Sequence, residues 1–163
     1  EVSYLMSLFE FHLGSEEQIS KYMEGGIRVR VIGDRSRLSK ALLEAIDRVE
    51  ETTKNNTELV MNLAVSYGGK WDITNAVKEI LKEDISVDEI TEDIIASHLS
   101  TAGLPDPDLI IRAGGEKRLS NFVLWQGAYS ELYFSPKYWP DFNEQDLDEA
   151  FEEYARRQRR YGK

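Results

Sequence analysis

Arg112, Lys117, Arg118, Ser120 and Asn121 crowd into residues 112–121, just after the apolar run Leu109–Ile111 and around a Gly114-Gly115 pair. These are the parts needed to hold a phosphate. Guanidinium groups offer paired donors in a planar fork, and a serine supplies a hydroxyl. Glycines let backbone N–H groups approach an anion, and the apolar segment after Asn121 is expected to start a helix whose N-terminus favours negative charge.

The chain around this cluster has the opposite sign. Its 163 residues carry a net charge of −10, with 41% hydrophobic and 31% charged residues. That balance is ordinary for a globular domain with a real core. It argues against nucleic acid or an anionic membrane as a partner, so the local cations point to a specific small anion. The absence of cysteine excludes disulfides, thiol nucleophiles and thiolate metal clusters. No apolar run approaches the roughly 18 residues of a membrane span, and no signal peptide is visible, so a cytoplasmic location is expected. The chain opens on Glu1 in an already helical pattern, so the expectation is that either it was cut or the parent protein extends upstream.

The elements that must position the cluster can be read from periodicity. Val2, Leu5, Met6, Phe9 and Leu13 share one helical face. Gly25-Gly26 is a break, and the alternating, β-branched Ile27–Ile32 reads as a strand. Leu38, Leu42, Ile46 and Val49 mark a helix to about Lys54. Leu59–Val65 reads as a strand buried on both faces, and a helix follows Gly68-Gly69 over about 71–82. Ser86-x-x-Glu89 has the form of a capping box, Thr91–Leu99 should be helical, and Pro105 and Pro107 stiffen the turn before a third strand at Leu109. Asn143 suits the N-cap of a last helix with Leu147, Phe151 and Tyr154 as its buried stripe, ending in the basic run of residues 156–163. Strands alternating with helices predict an α/β fold, a mostly parallel β-sheet covered by helices on both faces, in a single domain over 1–163. Ligands in such folds sit at the carboxyl ends of strands, where both glycine pairs fall.

RAGGEKRLSNFVLWQGAYSELYF (112–134) followed by WPDF (139–142) resembles the signature of the cis-prenyltransferases, most closely the bacterial undecaprenyl diphosphate synthase type. IRVRVIGD (27–34), NLAVSYGGKWDI (62–73) and RRQRRYG (156–162) are similar to that family in order and spacing. The resemblance implies the cis-prenyltransferase fold. It also implies magnesium-dependent condensation of isopentenyl diphosphate onto an allylic diphosphate, usually farnesyl diphosphate, to give a long-chain polyprenyl diphosphate such as undecaprenyl diphosphate. The family's DGNxRWA segment, with its catalytic aspartate, and its FSxxN segment do not occur in these residues. The expectation is therefore a C-terminal portion that keeps the isopentenyl diphosphate half-site, lacks the catalytic aspartate and is inactive alone. A homodimer is implied, with at most peripheral membrane association through the lipid product.

The resemblance assigns roles residue by residue. Arg112, Arg118, Leu119 (through its backbone) and Ser120 would bind isopentenyl diphosphate, and Glu131 would assist Mg2+ in a site completed across the dimer contact. Asp72, Glu116 and Asn121 are supporting candidates. Without the resemblance, Arg112 would be a surface ion pair, Ser120 a helix N-cap, Glu131 a solvated carboxylate and Asp72 a favourable charge in a helix's first turn; the structural reading is preferred for Asp72. Glu116 either holds Arg118 or is solvated. Lys117 stands where some relatives have a metal-proximal histidine, and its charge denies it a metal role. Ala113, Ser66 and Lys70 also depart from the usual residues. Met6, Phe9, Leu13, Leu59, Met61 and Leu63, with Val2 and Leu5, would line a hydrocarbon tunnel or simply pack a core. His12 and His98 have no partners at metal spacing.

Two rivals remain. A non-catalytic partner subunit of a heteromeric cis-prenyltransferase would generally degrade the motif, whereas Arg112, Arg118, Ser120 and Glu131 are intact. A nucleotide-binding module would need a GxGxxG after a strand, and none is present.

Overall fold

The computed structural model describes residues 2–157; the side chains of Val2 and Leu5, and all of the terminal basic run beyond Arg157, lie outside the described residues. The chain divides into two compact units, residues 1–67 and 68–163.

The first unit contains α1 (Val2–Leu13), α2 (Glu16–Glu24), β1 (Ile27–Ile32), α3 (Lys40–Thr53) and β2 (Leu59–Ala64). The two strands pair in parallel, from Ile27 opposite Leu59 to Ile32 opposite Ala64. Alternation along β1 turns Val29 and Val31 inward. They meet Leu42, Ile46 and Val49, which recur at helical spacing on α3, and Leu13 at the end of α1. Met6, Phe9, Met61 and Leu63 pack against this core. Ser15 and Ser39 cap α2 and α3 by accepting the N–H of Gln18 and Leu42. The free edge of β1 is closed by α3: Val29 N–H donates to the Thr53 hydroxyl (3.0 Å) and Val31 N–H to a Glu50 carboxylate oxygen (2.7 Å). This satisfies the edge without a further strand.

β2 differs from expectation. None of its residues is fully buried and Leu59 is 54% exposed, because among the described residues its only strand neighbour is β1. Helix α2 was not anticipated, although Ser15 followed by Glu16 and Glu17 is a helix-start signal.

The second unit contains α4 (Gly69–Ile80), α5 (Glu92–His98), β3 (Leu109–Arg112), β4 (Glu131–Phe134) and α6 (Glu144–Arg156). β3 and β4 are also parallel, with Leu109 opposite Glu131 and Arg112 opposite Phe134. Parallel strands, and helices between them, bear out the α/β class read from the sequence. The Ser86–Glu89 capping box forms, around a single 3-10 turn at Val87–Glu89. β4 was not anticipated, being only four half-buried residues long.

Two further expectations are corrected. No helix follows Asn121. Residues 121–129 are successive turns, because Ser120 (φ 49°), Asn121 (φ 66°) and Val123 (φ 36°) are left-handed and stop helix propagation. The crossover joining β3 to β4 is therefore this loop rather than a helix. The buried face of α6 is Asp146 and Ala150, while Leu147 (37%) and Phe151 (52%) remain exposed. The N-cap is Asn143, as expected, in a capping box with Asp146.

Candidate functional site

Strand β3 delivers Arg112 to the start of the crossover loop, and that side chain organises the loop. Its Nη1 donates to the Ser120 hydroxyl oxygen (2.8 Å) and to the Arg118 carbonyl, which folds residues 113–120 back on themselves. Arg118 in turn pairs with Glu116. Both members of that pair are more than half exposed, and such pairs contribute only about 0–1 kcal/mol, so an anion can displace Glu116 easily. Arg112, Glu116, Arg118, Leu119 and Ser120 are thus brought together. Lys117 is exposed beside them.

The glycines act differently from the sequence expectation. Gly114 (φ 101°) and Gly115 (φ 75°) take up backbone angles that side chains resist, but their N–H groups do not point to a ligand. Gly114 N–H donates to the Lys137 carbonyl (2.7 Å) and Gly115 N–H to the Ser135 carbonyl (2.9 Å). The pair ties the loop to the segment leaving β4. Lys137 is itself anchored: its ammonium lies 2.6 Å from Asp146 Oδ1, and Asp146 Oδ2 accepts the Asn143 N–H. These two contacts, Lys137 first, hold the Asp146 carboxyl below the usual carboxylate range, and the hydrogen bond to Asp146 raises Lys137. That leaves the side chains of Arg112, Arg118 and Ser120 as the groups of this loop that could meet an anion. Ser120 is not a helix N-cap, since no helix follows it.

Asn121 faces the other way. Its carbonyl accepts Gly69 N–H (2.6 Å) and its Oδ1 accepts Lys70 N–H (2.9 Å), at the first turn of α4. The N-cap position of α4 is Gly68, which has no side chain to cap with. A methyl group on Gly68 would sit 2.5 Å from Asn121 Nδ2. Asn121 is a supporting candidate by its place in the motif, and no local pattern in the sequence signals this contact. Asp72, 1% exposed in the same turn, accepts Ser100 N–H (2.9 Å) and its hydroxyl (2.6 Å), and Gln126 Nε2 (3.2 Å). Gln126 was not anticipated; it also donates to Thr101 (2.9 Å).

Glu131 is not gathered with the cluster. It opens β4 opposite Leu109, whereas Arg112 closes β3, a separation of about 10 Å along the strand direction at ~3.3 Å per residue. Its carboxylate accepts Arg157 Nη1 (2.7 Å), and Arg157, also paired with Glu153, is held above its ordinary value by Glu131 first. Among the described residues no group of three or more His, Cys, Asp and Glu could hold a metal. The described residues do not by themselves fit a magnesium shell at Glu131, and no chemical step is derived through the metal. His12 stacks edge-on with Phe11, and His98 bonds Ile94 and Glu83. Ser66 is left-handed (φ 51°) and its carbonyl accepts Asp34 N–H.

Residues 1–162 match the undecaprenyl diphosphate synthase family of prenyltransferases. The chain belongs to that family. A ditrans,polycis-undecaprenyl-diphosphate synthase ((2E,6E)-farnesyl-diphosphate specific) of Vibrio vulnificus strain YJ016 is 48% identical over 166 residues, covering 99% of this chain and 65% of its own. An isoprenyl transferase of Neisseria gonorrhoeae is 45% identical over 163 residues, covering 100% of this chain and 64% of its own. The crystal structure of lavandulyl diphosphate synthase from Lavandula x intermedia in complex with dimethylallyl diphosphate superposes with a TM-score of 0.93 at 39% identity, over 99% of this chain and 71% of that one. The chain thus spans just under two thirds of the length of the two curated relatives. Among the described residues no helix is long and apolar enough to cross a membrane.

Proposed function

We infer that these residues form the isopentenyl diphosphate half of a cis-prenyltransferase, working with an allylic diphosphate such as farnesyl diphosphate toward an undecaprenyl-length product. The observation that carries this is the Arg112 guanidinium, whose Nη1 alone holds the Ser120 hydroxyl and the Arg118 backbone, while the Arg118 guanidinium stays exposed beside them. Two guanidinium groups and a hydroxyl within one short loop match the several oxygens of a diphosphate, whose charge-assisted bonds are about twice as strong as neutral ones. Anchoring that end leaves the alkene free to face an allylic carbon. In the condensation the alkene π-electrons form the new C–C bond as the allylic diphosphate leaves, and a proton is then lost. The chain's residues contribute orientation to that step. Mg2+, as the family uses it, would neutralise diphosphate charge, and Glu131 is its proposed ligand, in a site shared between two copies of the chain.

The direct test is calorimetric titration of the protein with isopentenyl diphosphate, with and without Mg2+. Saturable binding that is lost in Arg112→Ala supports the reading. Affinity indifferent to Arg112 would sink it.

A further inference from the structure

Asn121 is left-handed (φ 66°), directly follows Ser120, and bridges to a helix fifty residues earlier in the chain. The bridge has two bonds, one from its backbone and one from its side chain, and both end on the N–H groups of Gly69 and Lys70 that open α4. Those N–H groups have no intrahelical acceptor, and Gly68 at the cap position offers none. Leu124 closes over the same turn, since a methyl group on Gly69 would lie 2.8 Å from Leu124 Cγ. The loop is therefore fastened at two places: near its start by Gly114 and Gly115 to residues 135–137, and just past Ser120 by Asn121 to α4.

We propose that Asn121 is a positioning residue for the diphosphate grip: by capping α4 from a distance it fixes the left-handed turn that presents the Ser120 hydroxyl to Arg112. The proposal rests on the reading of Arg112, Arg118 and Ser120 as the isopentenyl diphosphate site. The physical reason is stiffness. A left-handed pair at Ser120-Asn121 is costly for non-glycine residues and persists only where surrounding contacts over-determine it. Asparagine tolerates that angle better than most residues and carries the acceptor that the helix end lacks. Released from α4, the turn relaxes, Ser120 swings, and Arg112 Nη1 loses one of the two acceptors that hold it.

Two substitutions separate the cap from the backbone angle. Asn121→Asp keeps an acceptor for Lys70 N–H at a helix N-terminus, where negative charge is favourable. Asn121→Gly keeps the angle and removes the acceptor. Gly68→Ala forces Asn121 away without altering it. Isopentenyl diphosphate affinity is measured by calorimetry alongside the thermal midpoint, with Arg112→Ala as the reference. The expectation is an affinity about tenfold weaker in Asn121→Gly and in Gly68→Ala, and within about twofold of the parent in Asn121→Asp. If Arg112→Ala abolishes binding but Asn121→Gly lowers only the thermal midpoint, Asn121 is merely structural and the proposal is overturned while the site reading stands. Asn121→Asp as weak as Asn121→Gly also overturns it. If Arg112→Ala binds like the parent, the site reading falls, and this proposal with it. Should Asn121→Gly fail to fold, the Gly68→Ala and Asn121→Asp pair decides between the same outcomes.

Discussion

Arg112 makes both of its loop contacts, to Ser120 and to the Arg118 carbonyl, through the one Nη1 atom. Its planar group carries further donors at Nη2 and Nε in a fixed array that matches a phosphate bidentately, which the point charge of a lysine does not. Arg112→Lys should therefore weaken isopentenyl diphosphate binding by about tenfold despite keeping the charge, and Ser120→Ala by somewhat less, both read by calorimetric titration. Parent-like affinity in Arg112→Lys would show that only charge matters at this position. The types of these residues were legible in the sequence, since guanidinium, hydroxyl and glycine are chemical signatures. Their division of labour was not. The Gly114 and Gly115 N–H groups looked free for an anion, but Lys137 and Ser135 carbonyls about twenty residues away accept them, and no local pattern announces that.

At the scale of elements, strands and helices with strong periodicity were readable: Val29 and Val31 alternate, and Leu42, Ile46 and Val49 recur on α3. The failures are where tertiary contacts override local preference. The apolar run after Asn121 looked helical but is bent by three left-handed residues, and α6 buries Asp146 and Ala150 because Lys137 and Asn143 satisfy the carboxylate. Helix α5 shows a consequence for pH. His98, at its last turn with a side chain 15% exposed, bonds the Ile94 carbonyl through Nδ1 (2.7 Å) and Glu83 through Nε2 (3.1 Å). Two acceptors at the two ring nitrogens favour the doubly protonated ring, so its pKa is raised, by the Ile94 carbonyl first and Glu83 second. A raised histidine stabilises fully below its unfolded value of about 6.5, and that contribution disappears as pH climbs through the folded value. The thermal midpoint should thus fall as pH rises above about 6.5, and fall less steeply in Glu83→Gln, as followed by circular dichroism. Identical slopes in parent and variant would remove Glu83 from the account.

For the whole molecule, the register of β3 against β4 sets the decisive constraint. Leu109 pairs with Glu131 and Arg112 with Phe134, so the proposed diphosphate and magnesium residues occupy opposite ends of one strand pair. Neither residue can slide toward the other without breaking that pairing. With that separation, the proposed role for Glu131 is toward the magnesium diphosphate held by another copy of the chain, which a two-fold dimer allows because each copy then gives and receives the same contact. Arg157, now bonded to Glu131, would have to yield the carboxylate. The arrangement is testable by mixing. Arg112→Ala chains lack the grip and Glu131→Ala chains lack the metal ligand, so neither alone should show the Mg2+-dependent increase in isopentenyl diphosphate affinity. Unfolded and refolded together, they should recover it in part, because a mixed dimer contains one site with Arg112 from one chain and Glu131 from the other. A site built within a single chain can give no recovery, since every chain in the mixture carries one defect. Glu131→Ala chains that keep the full Mg2+ response on their own would instead remove Glu131 from the metal site altogether.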